Sequence, residues 1–277
     1  MKSQASVILD GRQAAKKHLE ALAKEIERLQ APICLGTIQV GESKDAALYS
    51  RAMDRLLKSL GLVHEAHVFP ENVSEKELLA TIEKLNREPK ITGILIFEPL
   101  PERLNGSRLL DAVNLHKDVE GCRYLLGSKE RVVTPTAMAA VALVEEAGVP
   151  LQGLEAVVIG RSLVVGRPAA LLLLDRDATV TICHSHTRDL KSHIEKADIV
   201  IAAVGKANLV KGAWIKPGAI VVDVGENVVD GKPVGDVEFE AAAGRAGFIT
   251  PVPGGVGPLT NVMLVKNLLT LWKSSKS

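Results

Sequence analysis

Aromatic side chains are scarce in this chain: two tyrosines, two tryptophans and four phenylalanines among 277 residues. Its core has to be aliphatic, and 47% of the residues are hydrophobic, chiefly Val, Ile, Leu and Ala, enough for one large or two modest cores. An excess of charge of one sign is equally lacking. Lys and Arg number 34 against 33 Asp and Glu, a formal net charge of +1. Runs of like charge stay short, so the chain offers a nucleic-acid backbone no electrostatic footprint. No apolar run approaches the ~20 residues of a membrane span, and "MKSQASVILDG" shows no apolar stretch followed by a small-residue cleavage site. The expectation is a soluble, cytoplasmic protein with neither nucleic acid nor membrane as partner.

Cysteine is sparse as well. Cys34, Cys122 and Cys183 are odd in number, far apart and without a C-x-x-C spacing, which argues against a disulfide framework or a zinc site and for reduced thiols. "CHSHT" sets His184 and His186 two apart, on one face of a strand, but supplies no third ligand. A polar cluster at a strand end is expected there, and no metal.

What is present is alternation. Short β-branched runs are followed by longer helical patterns, the signature of an α/β architecture with a largely parallel sheet. Asp10 stands where it caps a helix through Ala14, Leu22, Ile26 and Leu29, and "PICLGTIQVG" follows as a buried strand. "SKDAALYSRAMDRLLKSLG" reads as a second helix closed by Gly61. "LVHEAHVF", a helix opened by Ser74 and Glu77 in capping-box spacing, and "ITGILIFEPLP" complete three βα-like units. The pattern restarts after "LQGLE", with "AVVIG", "ATVTICHS", "ADIVIAAVG" and "AIVVDVGEN" as strands and "NVMLVKNLLTLWKS" as a closing amphipathic helix. Two domains are expected: residues 1–138 with 256–277, and residues 139–255 as a dinucleotide-type unit.

"VVIGRSLVVGRPAALLL" has the strand, tight turn and helix start of such a unit. Gly160 ends the strand and Gly166 opens the helix, whose free N–H groups and positive dipole end attract a pyrophosphate. The spacing departs from G-x-G-x-x-G, with Ser162 in place of the second glycine. An NAD site of this kind has an acid about 20 residues on, accepting from the ribose 2′-OH. Here the next strand ends at Ser185 without an acid, and Arg161 sits in the turn. An arginine and a hydroxyl suit a 2′-phosphate, so NADP is favoured over NAD.

"GRSLVVGRPAALLL", "ATVTICHSHT", "VVDVGEN", "KDVEG" and above all "ITPVPGGVGPLT" resemble the methylenetetrahydrofolate dehydrogenase/cyclohydrolase (FolD-type) family. The resemblance implies a homodimer in which folate lies in a cleft between an N-terminal α/β domain and a Rossmann-type domain binding NADP. It places Gly160, Arg161, Ser162 and Ser185 at the cofactor, and Pro253, Gly254, Gly255 and Gly257 in a loop on the folate side. Glycine in such a loop lets backbone approach a flat ligand closely.

The chain departs from the family pattern around one reaction. Tyr49 matches the tyrosine of the family's Tyr-x-x-x-Lys pair, but Met53 occupies the lysine position, one turn on and on the same helix face. The family's serine one turn before is Ala46, and the glutamine that hydrogen-bonds the lysine is Phe97. The pterin-holding aspartate is Glu120, and "DVGIN" is "DVGEN", which sets Glu226 near the cofactor. Tyr49 is the expected catalytic residue. Tyr49, Met53, Phe97, Glu120 and the Pro253–Gly257 loop are the expected substrate contacts.

The family transfers hydride from 5,10-methylenetetrahydrofolate to NADP, then hydrates the methenyl product to 10-formyltetrahydrofolate. Hydride transfer needs chiefly ring positioning, whereas hydration needs a proton carrier worth ~10²- to 10⁴-fold in rate. Methionine carries no proton. The expected function is therefore an NADP-dependent dehydrogenase with cyclohydrolase activity lost or very weak. A non-catalytic folate- or nucleotide-binding paralogue and a fully bifunctional enzyme are the alternatives.

Overall fold

The computed structural model of the chain describes residues 6–30, 32–41, 44–121 and 132–276, with 44–47 described by their backbone alone. Cys122 lies outside the described residues, while Cys34 and Cys183 are buried free thiols. Two compact α/β units form: Met1–Leu19 with Val133–Met263, and Glu20–Val132 with Leu264–Ser277. Among the described residues no helix is long and apolar enough to cross a membrane.

The larger unit is built on six parallel strands: β1 (Val7–Ile8), β5 (Glu155–Ile159), β6 (Thr179–Cys183), β7 (Ile199–Ala202), β8 (Ile220–Asp223) and β11 (Phe248–Ile249). Their order across the sheet is β1-β11-β8-β7-β5-β6. Almost every residue of β5, β7 and β8 is buried, as expected of parallel strands covered on both faces, which is why they read as unbroken Val/Ile runs. The chain goes from β5 to β6 at one edge and then returns across β5 to β7. That reversal between β5 and β7 is a topological switch point, where open α/β sheets bind ligands beyond the carboxyl ends of the strands. Helix α6 (Gly166–Leu174) follows β5, and α5 (Pro135–Glu145), buried nearly all round, precedes it.

The smaller unit carries a three-stranded parallel sheet in the order β3-β2-β4, from β2 (Cys34–Val40), β3 (Val63–Phe69) and β4 (Gly93–Ile96). Helix α2 (Lys44–Ser59) links β2 to β3, and α3 (Glu75–Arg87) links β3 to β4. Ser74 caps α3 by accepting from the Glu77 N–H at 3.2 Å. Asp10 caps α1 (Gly11–Leu29) by accepting from the N–H groups of Arg12 and Gln13. Gly61, at φ +70°, ends α2 in the left-handed conformation that glycine adopts without strain. The last helix, α9 (Val256–Ser274), closes the chain. In the smaller unit Asn267 of α9 donates to the Val119 carbonyl at 2.9 Å.

The division of the chain differs from the expected boundaries at 138/139 and 255/256. Residues 6–19, 133–138 and 256–263 group with the six-stranded sheet. The reason at the N-terminus is β1, whose two residues pair in parallel with Phe248 and Ile249 some 240 positions away. A two-residue strand has no periodicity to detect. The hairpin β9 (Asn227–Val229) and β10 (Lys232–Val234) was also not expected.

Candidate functional site

In the larger unit, a cleft of about 520 Å³ opens at the switch point. The ends of three strands supply its walls: Gly160, Arg161 and Ser162 after β5, His184, Ser185 and Thr187 after β6, and Ala203, Val204 and Lys206 after β7. Two glycines make the turn possible. Gly160 has φ +119°, and a Cβ there would lie 2.2 Å from the Ala203 carbonyl oxygen. A Cβ on Gly166 would lie 2.2 Å from the Gly160 carbonyl oxygen. Strand, turn and helix touch backbone to backbone, and only glycine leaves room.

Ser162 does more than replace a glycine. Its Oγ accepts from the N–H groups of Val165 at 3.1 Å and Gly166 at 3.3 Å, and its carbonyl accepts from the Arg167 N–H. The first N–H groups of α6, expected to face an anion freely, are thus engaged inside the turn. What the cleft offers an anion is the dipole end of α6, the Ser162 hydroxyl proton, and the exposed Arg161 and Lys206 side chains. No carboxylate lines it. At the β6 tip, the Thr187 hydroxyl accepts from the His184 N–H at 2.8 Å, and His184 Nδ1 accepts from the His186 N–H at 3.1 Å. The latter bond keeps Nδ1 unprotonated. Desolvation, then Arg161 and His186, hold the His184 pKa below its ordinary value.

The β7 wall of this cleft is held by a residue that sequence reasoning missed. Asp236 is fully buried. Its carboxylate accepts from the N–H groups of Val204 (2.6 Å), Gly205 (3.0 Å) and Lys206 (2.7 Å), and from Asn227 Nδ2 (3.0 Å). A second buried carboxylate, Asp223, accepts from the N–H groups of Gly225, Asp236 and Val237. Burial raises the Asp223 pKa, those three donors pull it back, and Asp236 adds to the rise, leaving it at about 6. The signal available in the sequence was "VVDGKPVGD", whose Asp-Gly turn folds β9 against β10 and delivers Asp236.

Glu226 lies apart from the glycine turn, in a hollow of about 170 Å³ shared with Arg12, Pro253, Gly254, Gly255 and Gly257. The chain's own packing accounts for part of this glycine-rich loop. Gly254 has φ +107°, a Cβ on Gly255 would lie 2.7 Å from the Pro251 carbonyl oxygen, and the Gly11 N–H donates to the Gly254 carbonyl. Arg12, which opens α1, was not anticipated in this hollow.

The smaller unit contains the other expected residues. Tyr49 on α2 is 36% exposed, whereas Met53, one turn on, is wholly buried. Phe97, just past β4, is buried and meets the Tyr49 ring edge to face, centroids 5.2 Å apart. Ala46 falls within the stretch described by backbone alone. The "KDVEG" segment is almost entirely structural. Lys117 donates to the carbonyls of Leu85 and Glu88 at the end of α3, and Asp118 accepts from the N–H groups of Glu120 and Gly121. Val119 is buried, and Gly121 has φ +61°.

That leaves the Glu120 carboxyl, which has no hydrogen-bond partner among the described residues. Burial, then Asp118 and Glu98, push its pKa up to about 7. Burial, then Glu120, push the Tyr49 hydroxyl up to about 12. Glu120 lines a small hollow of about 30 Å³ with Ile94, Ile96 and Asp118, within electrostatic range of the Tyr49 phenol.

Residues 9–120 match the family model for the catalytic domain of tetrahydrofolate dehydrogenase/cyclohydrolase, and residues 134–276 match that for its NAD(P)-binding domain. The chain is 46% identical over 270 residues to the bifunctional protein FolD of Moorella thermoacetica, covering 94% of this chain and 96% of that protein. The solved bifunctional FolD methylenetetrahydrofolate dehydrogenase/cyclohydrolase of Campylobacter jejuni matches with a TM-score of 0.91 at 36% identity, over 98% of this chain and 100% of that one. The N5,N10-methylenetetrahydrofolate dehydrogenase-cyclohydrolase of Trypanosoma brucei, solved with NADP and an inhibitor, matches with a TM-score of 0.89 at 36% identity, over 99% of each chain. With both domain models matched in order and the fold shared end to end, this chain belongs to the tetrahydrofolate dehydrogenase/cyclohydrolase family.

Proposed function

We propose that the chain is an NADP-dependent 5,10-methylenetetrahydrofolate dehydrogenase whose cyclohydrolase activity is lost or very weak. The observation that carries this reading is the fully buried Met53 one turn from Tyr49, with buried Phe97 against the tyrosine ring. An ammonium and the amide that would orient it are replaced by two apolar side chains. Hydration of a methenyl folate requires a proton to be moved between the carbon adduct and a ring nitrogen. Hydride loss from the methylene bridge leaves a cation spread over N–C–N and has no obligatory base.

The cofactor assignment rests on the lining of the 520 Å³ cleft. Arg161 and Lys206 supply positive charge, Ser162, Ser185 and Thr187 supply hydroxyls, and no acid stands at the β6 tip to claim a ribose 2′-OH. These residues fit a dinucleotide carrying a 2′-phosphate. Bound NADP would supply the hydride acceptor. The chain's part is to hold the phosphates at Arg161, Ser162 and Lys206 and to orient the folate at Tyr49 and Glu120. Purified protein should reduce NADP with methylenetetrahydrofolate and leave methenyltetrahydrofolate hydrolysis at the spontaneous rate. A flat dehydrogenase trace from folded protein would overturn the reading.

One observation favours a second reading, retained cyclohydrolase activity, which also agrees with the bifunctional names of the relatives. Glu120, with its pKa near 7 and within electrostatic range of Tyr49, is chemically able to carry the proton that Met53 cannot. Hydrolysis well above background, abolished by Glu120→Gln, would establish it. We also place the protein in the cytoplasm as a homodimer. Edge strand β6, with Ile182 40% exposed and Leu174 exposed on the neighbouring helix, is the face offered for pairing. Sedimentation at a monomer mass would refute the dimer.

A further inference from the structure

Glu226 is three residues beyond the end of β8 and has neither an ion-pair nor a hydrogen-bond partner among the described residues. Its place in the sheet says which half of a dinucleotide it faces. In a doubly wound sheet the pyrophosphate sits at the first glycine turn and the adenosine ribose at the tip of the following strand. Here those are the Gly160–Gly166 turn after β5 and the tip of β6. The nicotinamide half has only the opposite direction left, over β7 toward β8. The exposed Glu226 side chain lies in the hollow at that end. Its Oε1 is 3.2 Å from where a Cβ on Gly257 would stand, so the carboxylate leans on the first turn of α9.

The charges around it do not cancel it by contact. Arg12 enters the same hollow from the Gly254 side, its Cζ 3.9 Å from the Cβ position of that glycine, and makes no ion pair with Glu226. The Asp223 carboxylate is buried behind three backbone donors.

Resting on the NADP reading above, we propose that Glu226 sets the site's preference between the two redox states of the cofactor, favouring the oxidised form over the reduced one. The oxidised nicotinamide ring carries a positive charge, and the dihydronicotinamide ring is neutral. The phosphates are the same in both forms, so their repulsion by Glu226 weakens both equally and drops out of the ratio. What remains is attraction between carboxylate and pyridinium, present in one form only. For an exposed, solvent-screened carboxylate on the nicotinamide side this would amount to roughly a 3- to 10-fold preference at low ionic strength, shrinking as salt is added. Weaker retention of the reduced form also speeds its release after hydride transfer.

The test is to measure the dissociation constants of NADP and NADPH for the full chain by calorimetry and NADPH fluorescence, in wild type, Glu226→Gln and Glu226→Ile, at low and high salt. Both variants are expected to tighten NADPH more than NADP, narrowing the wild-type ratio by roughly 3- to 10-fold at low salt and by less at high salt. If both forms bind and the ratio is the same in all three proteins, Glu226 has no such role while the cofactor reading stands. If neither form binds the folded wild type, the cofactor reading fails and takes this inference with it.

Discussion

Tyr49 and Phe97 meet edge to face, with ring centroids 5.2 Å apart and planes 78° apart. The pair comes from α2 and from the residue after β4. Among the described side chains of α2, none on the face shared by Tyr49 and the buried Met53 is basic.

Introducing an ammonium at Met53 alone should be costly. The site is wholly buried, so an ammonium there would lose its hydration. Met53→Lys is expected to lose ~2–4 kcal/mol of stability, read from urea denaturation. Met53→Lys with Phe97→Gln should recover part of that loss and raise cyclohydrolase turnover by ~10²-fold or more. A double variant that is stable but no faster would show that lysine is not the missing component.

Glu120 should leave a pH signature. Burial first pushes its carboxyl up to about 7 in the folded protein, from an ordinary value of 4.5. Between those values the folded state holds a proton that the unfolded state has released, so stability falls as pH rises from about 4.5 to about 7. The penalty is fully present above 7 and absent below 4.5. Glu120→Gln removes it, so this variant should be more stable than wild type at pH 8 and indistinguishable at pH 4. Parallel stability curves for the two proteins would contradict the assignment.

Asp236 should act on the cofactor rather than on the folate. Asp236→Ala strands the N–H groups of Val204, Gly205 and Lys206, at ~1–3 kcal/mol for each group left buried and unpaired. Val204 and Lys206 wall the 520 Å³ cleft. In the milder Asp236→Asn variant, KM for NADP is expected to rise ~10-fold while KM for methylenetetrahydrofolate stays put. An equal rise in both would reduce Asp236 to a general support of the fold.

Gly160→Ala combines a left-handed backbone with a Cβ only 2.2 Å from the Ala203 carbonyl oxygen. The expected loss is ~3 kcal/mol or more, with the β5–α6 turn pushed off β7. Soluble, folded protein with unaltered NADP affinity would show that the turn tolerates displacement.

Much of the frame was legible in the sequence because its causes are local. The caps at Asp10 and Ser74, the glycine stop at Gly61 and the Val/Ile runs of β5, β7 and β8 each rest on a few adjacent residues. The motifs at Gly160 and Pro253 identified the family for the same reason. The β9–β10 hairpin carried its Asp-Gly signal openly, and β1 carried none.

Sequence by itself determined the fold class and the family, since these depend on residue identity and periodicity. Only the tertiary structure decided that Asp236 reaches the 204–206 turn, that Ser162 takes up the helix donors, and that Arg12 joins Glu226 beside the Pro-Gly loop. It also decided the protonation of Glu120. A pKa near 7 arises from burial, then from Asp118 two positions away and from Glu98, which folding brings within range, and desolvation belongs to a place in space rather than to a position in a chain.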